Sequence, residues 1–361
     1  MKMTKKPLYI DYRRLEKLAY DILLKGGLSE MEAQETATHL VRANLRGVDS
    51  HGITRVPIYL KRLHVGVVRA KADVSIIHET PVSAYIDGNN GIGPYIARKT
   101  TEIAIEKAKK SGVAIVGLTN ANHLGTLGYY SELAVNEGLI TFITANAPAN
   151  MPPFGGAEKY FGTNPFSYGF PTGREKPFIL DMATSVVSKG KIILAMKNNE
   201  NIPLGWAIDK NGQETTNAQE AVDGLVLPLG GPKGYGLAFM VDILSGIMTG
   251  SNWGPHINDL YSNFTEPQNV GMFAIVLRPD LFISEVEFKK KIDQAISEVR
   301  NLKLQKGFDR IYIPGEIETI TLEKRRSEGV PLTIETVTEL ERLGKELEVN
   351  VDFLTDLIQM A

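Results

Sequence analysis

Apolar positions near the start of the chain recur at helical spacing. In "DYRRLEKLAYDILLKGG" they are Leu15, Leu18, Ala19, Ile22 and Leu23, and Gly26-Gly27 stops the run. In "SEMEAQETATHLVRANLRG", Ser29 and Glu32 make a capping box, and Ala33, Ala37, Leu40, Val41 and Asn44 form an inner face. Gly47 offers a C-terminal stop. The pattern predicts a third helix starting near "DSHGITRVPIYLKRLHVG". From about residue 73 the period changes. "DVSIIHE" and "VSAYID" read as strands, with Asp87-Gly88-Asn89 supplying turn chemistry. "IGPYIARKTTEIAIEKAKKSG" reads as a helix, "GVAIVGLTN" as a strand, "LGYYSELAVNEG" as a helix and "LITFITANA" as a strand. This alternation predicts an α/β sheet with at least some parallel pairs. A Gly/Pro-rich stretch from Ala147 to Gly173 interrupts it. "KGYGLAFMVDILSGIMTG", residues 233–250, is helical and apolar nearly all round, which predicts burial between domains or subunits. The strand "GMFAIVLRP", a further helix and the amphipathic "TIETVTELERLGKELEVN" follow.

With 361 residues, the chain exceeds one typical core and suggests two domains with segments exchanged between them. Lys+Arg is 40 against Asp+Glu 42, so bulk charge argues against nucleic acid or an acidic membrane surface as partner. The absence of cysteine excludes disulfides, thiol nucleophiles, Fe–S clusters and Cys-based zinc sites. "MKMTKKPLYIDYRRLEK" is basic without the apolar core of a signal peptide, and no run reaches the length of a membrane span. The reading is a cytoplasmic protein.

Six histidines are present, none paired at HExxH spacing, so no metal site is predicted. "VDSHGITR" groups Ser50, His51 and Arg55. An arginine fork beside an imidazole and a hydroxyl suits a carboxylate, whereas a capped helix start with a solvated arginine fits the same letters. His123 follows the strand "AIVGLTNAN". Sites in open α/β sheets lie beyond the carboxyl ends of strands, and an imidazole there can move the proton of a hydroxyl. A loop histidine bonded to backbone satisfies the pattern equally. Residues 153–171, "PFGGAEKYFGTNPFSYGFP", form a loop whose length is uncommon without function, and Thr163 and Asn164 offer it polar contacts. "LGGPKGYGL" sets Lys233 among glycines at a helix start, an arrangement that favours an anion. Neither a P-loop nor a GxGxxG fingerprint is present. In "LDMATS" and "IPGEIE" an acidic residue serves either a ribose hydroxyl or a local cap.

Taken in order, "LRGVDSHGITR", "NANHLG", "PFGGAEKYFGTNP", "LDMATSVVSKGK", "IPLGWAIDKNG" and "GPKGYGL" resemble the malate/L-lactate dehydrogenase family, which lacks a Rossmann fold. The resemblance runs from about residue 11 to 330. It implies an α/β fold, an α+β mixed sheet binding nicotinamide without a Rossmann motif, with a helical domain built from both chain ends. The expected organisation is 1–72 helical, 73–229 mixed α/β for cofactor and substrate, and 230–361 completing the helical domain and the dimer contacts. It implies His123 as acid/base. It places Ser50, His51, Arg55, Thr163 and Asn164 at the substrate, with Arg55 on the carboxylate. Ala147, Asp181, Met182, Ala183, Lys233, Gly315, Glu316 and Ile317 are implied at the cofactor, NAD, with NADP as the alternative. The implied assembly is a homodimer acting on a small 2-hydroxy acid. The short "LPLGGPKGYGL" is like ureidoglycolate dehydrogenases, whereas "RGVDSHG" is like malate-type members, so ureidoglycolate and malate or lactate stand side by side. An imino-acid reductase using the same residues, and a non-catalytic carboxylate- or nucleotide-binding protein on the same scaffold, are the rival readings.

Overall fold

The computed structural model describes residues 6–359; the basic start of the chain, residues 1–5, lies outside the described residues. A short strand, β1 (Leu8–Ile10), leads into α1 (Tyr12–Lys25), whose first amides are capped by the Asp11 carboxylate. The predicted face Leu15, Leu18, Ala19, Ile22 and Leu23 is buried. α2 (Glu30–Leu45) opens with the predicted capping box, and the other oxygen of Glu32 accepts from the Ala72 amide at 2.8 Å. The third helix is more broken than its pattern suggests. Single 3₁₀ turns at Asp49–His51 and Ile53–Arg55 precede α3 (Val56–His64). The cause is Asn44, whose side chain donates to Asp49 at 2.7 Å and accepts from the Ile53 amide at 2.8 Å. It lies so close to Gly52 that a β-carbon there would meet it at 2.1 Å.

The sheet follows: β2 (Ser75–Thr80), β3 (Ser83–Asp87), α4 (Gly93–Ser111), β4 (Val113–Ala121), α5 (Leu127–Asn136), β5 (Ile140–Ala145), β6 (Phe166–Phe170) and β7 (Phe178–Met182). The stretch 153–171 read as loop therefore ends in a strand, and Gly169 there gives room to Val135 and Ser131 of α5. Next comes a small unit with its own apolar cluster around Ile192, Ala207, Ala221 and Val226, which local patterning did not reveal. It comprises α6 (Lys189–Asn198), β8 (Ala207–Ile208), α7 (Ala218–Asp223) and β9 (Leu225–Val226). α8 (Pro232–Asp242) continues into a π turn at Ile243–Ile247. It is not buried all round within the chain: Ala238, Val241 and Gly246 are covered, but Phe239, Ile243, Ile247 and Met248 are exposed.

β10 (Val270–Leu277), apolar on both faces, enters the centre of the sheet, giving the order β2-β3-β4-β10-β5-β6-β7. Within this sheet, among the described residues, only β3 and β4 pair in parallel. β4 and β5 point the same way, as a strand–helix–strand unit predicts, but β10 lies between them, antiparallel to both. The chain ends with α9 (Glu285–Arg300), α10 (Glu316–Glu328), β11 (Val330–Leu332), α11 (Ile334–Glu346) and α12 (Asp352–Gln359). β11 pairs with β1, and Leu322, Val337, Leu340 and Leu354 share one core with Leu15, Ile22, Leu40 and Tyr59. Both chain ends thus build one helical layer beside a mixed sheet. Among the described residues no helix is long and apolar enough to cross a membrane.

Candidate active site

Three segments separated in sequence meet beyond the carboxyl end of β4. His123 leaves that strand with its amide held by the Gln268 side chain at 3.0 Å. Its Nδ1 lies 2.7 Å from the Tyr59 hydroxyl and 3.3 Å from the Gly125 amide. The His51 ring stacks on it, with centroids 5.4 Å apart and planes 20° from parallel. Ser50 Oγ lies 3.0 Å from His51 Nδ1. Arg55 uses Nε on the Ser50 carbonyl at 2.7 Å, and its guanidinium sits over the Tyr261 ring at 5.5 Å. It has no carboxylate partner among the described residues. Ser50, His51, Arg55 and His123 are therefore brought together.

The electrostatics of this cluster favour an arriving anion. Burial holds the His123 pKa well below its ordinary value, and Arg55, His51 and His39 push it further down. Burial, then Arg55, lowers His51 to about 4. Burial also lowers Arg55 from its usual value, partly offset by Tyr59. Two neutral imidazoles beside a cation without a carboxylate partner make a pocket that lacks one negative charge.

Alongside lies a cavity of about 180 Å³, with His51 as a shared wall. Thr163, Asp181, Met182, Ala183 and the start of α5 line it, together with Arg46 and Glu318. Asp181 accepts from the Gly128 amide at 2.8 Å. It is open to the cavity, yet the surrounding protein raises its pKa to about 6; the Gly128 amide and Arg46 oppose that rise and Glu318 adds to it. The Thr163 carbonyl accepts from both the amide and the hydroxyl of Thr184, at 2.8 and 2.9 Å, which fixes the strand end bearing Asp181.

The other candidate residues do not line this cavity. Asn164, fully buried at a left-handed φ of 26°, accepts from the Ala147 amide at 3.0 Å and donates to the Ala238 carbonyl at 2.9 Å. Its amide thus joins Ala147 to α8. Lys233 is exposed at the start of α8, with no ion pair among the described residues. The next residue, Gly234, packs on the Leu229 backbone and the Thr184 carbonyl so closely that a β-carbon would collide. Gly315 (φ 88°) sits against Ile179, two residues before Asp181. The Glu316 carboxylate is occupied by the Ile313 amide at 3.0 Å and by Arg310 and Arg300, while Ile317 is exposed. Glu318, two residues on, lines the cavity together with Asp181.

Sequence reasoning missed Tyr59, Arg46, Gln268 and Tyr261. Tyr59 had a signal: it stands four residues after Arg55, as Arg55 stands four after His51. Gln268 reaches His123 across 145 positions, a separation that leaves no local pattern.

A sequence profile of the family described as malate/L-lactate dehydrogenase matches residues 10–341. The L-sulfolactate dehydrogenase of Methanocaldococcus jannaschii is 41% identical over 93% of this chain and 96% of its own. A solved structure of sulfolactate dehydrogenase from that organism superposes with a TM-score of 0.91, covering 97% of this chain and 99% of its own. The malate dehydrogenase of Pyrococcus horikoshii is 39% identical over 93% of this chain and 94% of its own; its structure gives a TM-score of 0.88 over 96% and 97%. The ureidoglycolate dehydrogenase (NAD(+)) of Escherichia coli K12 is 35% identical over 90% and 92%.

Proposed function

The chain belongs to the malate/L-lactate dehydrogenase family, and from that premise we propose that Ser50, His51, Arg55 and His123 form the site at which it oxidises and re-forms a small 2-hydroxy acid. It is an NAD(P)-dependent oxidoreductase acting on CH–OH groups. The observation that carries the site assignment is the His51–His123 stack beside a guanidinium with no carboxylate partner among the described residues. Arg55 pairs with the substrate carboxylate, because a planar fork fixes both position and orientation. Ser50 and His51 orient the acid. His123 takes the hydroxyl proton on Nε2 as the alcohol is oxidised, and returns it to the carbonyl oxygen in reverse.

The residues beside the cavity fit a nicotinamide dinucleotide by their chemistry. Met182 and Ala183 offer an apolar wall, Asp181 an acceptor and Thr163 a polar edge, and Lys233 adds an ammonium at a helix start with no ion pair among the described residues. Ala147 contributes backbone only, and Asn164 holds it in place. Gly315, Glu316 and Ile317 act through the turn they shape against β7, since the Glu316 carboxylate already has partners. When bound, the nicotinamide supplies or accepts the hydride at the carbon bearing the oxygen. NAD is preferred and NADP is the alternative.

Within the substrate class, malate and sulfolactate come first and ureidoglycolate second. The malate-type "RGVDSHG" and the higher identity to relatives named for those two acids support this order; the short turn before Lys233 supports ureidoglycolate. Exposed Phe282, Val286, Phe308 and Ile247 support a second copy of this chain as the partner that covers them. The test of the site is His123→Ala. Turnover should fall about a hundredfold or more while reduced-cofactor affinity stays within about twofold. A variant that turns over normally would sink the assignment.

A further inference from the structure

We propose that Tyr261 is the positioning partner of Arg55: its ring face holds the guanidinium in place without a counterion and leaves the fork free for the substrate carboxylate. That role rests on the reading of Arg55 as the carboxylate's partner. Nε of Arg55 donates to the Ser50 carbonyl at 2.7 Å, and its guanidinium carbon lies 5.5 Å from the centre of the Tyr261 ring. Among the described residues its two terminal nitrogens have no hydrogen-bond partner. A carboxylate neighbour would hold the cation firmly, but would fill the nitrogens that a bidentate acid needs. An aromatic face attracts the charge through its quadrupole and takes up none of its donors. It also limits the freedom of a long side chain before the substrate arrives, so less ordering is left for the binding step.

The loop that carries Tyr261, residues 257–268, leads into β10 and is held from within. Arg62, 1% exposed on α3, donates to the carbonyls of Leu260 and Asn263 at 3.2 and 2.6 Å and to that of Glu266 at 3.4 Å. The Asp259 carboxylate accepts from the Tyr261 and Ser262 amides, both at 2.8 Å. The backbone is thus gripped on either side of Tyr261, while the side chain stands 57% exposed and its hydroxyl has no hydrogen-bond partner among the described residues. α3 begins directly after Arg55, so the arginine and the clamp on the loop that meets it share one stretch of chain. At its far end the same loop holds the His123 amide through Gln268 at 3.0 Å. The carboxylate anchor and the proposed base are therefore both set by a loop to which neither belongs.

The test compares the kinetics of Tyr261→Leu and Tyr261→Phe with the wild type. The probe is whichever of malate, sulfolactate, lactate and ureidoglycolate the wild type oxidises fastest. Leucine keeps apolar bulk and removes the π face; phenylalanine keeps the face and removes only the hydroxyl. Tyr261→Leu should raise KM for the acid about three- to tenfold, with kcat and the KM for the cofactor changed less than about twofold. Tyr261→Phe should retain the wild-type KM. The exposed position makes both substitutions mild, and unfolding temperatures within about 2 °C of the wild type check that the fold is intact. A Tyr261→Leu with wild-type KM overturns the proposed role. So does a Tyr261→Phe as impaired as Tyr261→Leu, which would assign the effect to the hydroxyl. A fall in kcat in place of a rise in KM, the mark of a general disturbance of the site, overturns it too. The two readings fail separately: an unchanged KM in Arg55→Ala defeats the carboxylate role itself, whereas a raised KM there beside a normal Tyr261→Leu defeats only the role of Tyr261.

Discussion

At the scale of single residues, the site is a balance between burial and one cation. The proposed base, His123, can take a proton only when its ring is neutral, and burial with Arg55 holds its pKa below the ordinary range. The kcat/KM for hydroxy-acid oxidation should therefore stay level as pH falls through about 6.5 and decline only further down. A decline centred at or above that value would contradict the placement. Arg55→Ala should raise KM for the acid roughly ten- to a hundredfold, the worth of a lost charged hydrogen-bonded pair. The same change should move the acidic limb upward, because the second cause of the depression is gone. Steady-state profiles of the variant check both effects. Much of this was legible in "VDSHGITR" and "NANHLG", where residue types and spacing already point to a carboxylate and a proton. The orientation of Asn164 was not, because its two partners, Ala147 and Ala238, lie 17 and 74 positions away.

At the scale of elements, the loop from β4 to α5 is what aims the imidazole. Gly125 is left-handed at φ 77°, and a β-carbon there would fall 2.0 Å from Nε2 of buried His39. That nitrogen accepts from the Thr126 amide at 3.0 Å, and the Tyr130 hydroxyl donates to the Leu124 carbonyl at 2.5 Å. Gly125→Ala should cost about 2 kcal/mol or more in urea unfolding, from strain and overpacking together, and slow turnover as well. His39 also carries a pH signature. Burial lowers its pKa to about 3, with His51 adding a little. Below about 6.5 the unfolded chain takes up a proton that the folded one refuses, so stability falls as pH falls towards 3. Relative to His39→Gln, which does not titrate, the wild type should lose about 1.4 kcal/mol per pH unit across that window. Equal slopes would place His39 in a polar or open setting. The capping box of α2, the Gly26-Gly27 stop after α1 and the alternation of helices and strands were all readable locally. The place of β10 between β4 and β5 was not, since register among distant strands is decided by which apolar faces remain to be covered.

At the scale of the whole molecule, the chain ends close on one another and leave apolar surface outside. β1 pairs with β11, while Phe282 is 96% exposed and Val286 80% exposed at the start of α9. Light scattering should report twice the 39.7 kDa protomer mass, and Phe282→Asp should shift the population towards monomer. The two-ended helical layer follows from the family resemblance in the sequence, because no local pattern says that α11 packs near α1 and α3. The claim on which the rest depends is the chemistry, and its most direct test is absorbance at the reduced-nicotinamide band. The purified chain should be given NAD or NADP with malate, sulfolactate, lactate and ureidoglycolate in parallel, and the reduced cofactor with the matching oxo acids and a cyclic imino acid. The account predicts rapid, saturable turnover of at least one 2-hydroxy acid with its oxo acid in reverse. Binding of the cofactor without turnover of any of these acids, or turnover of the imine alone, would contradict it.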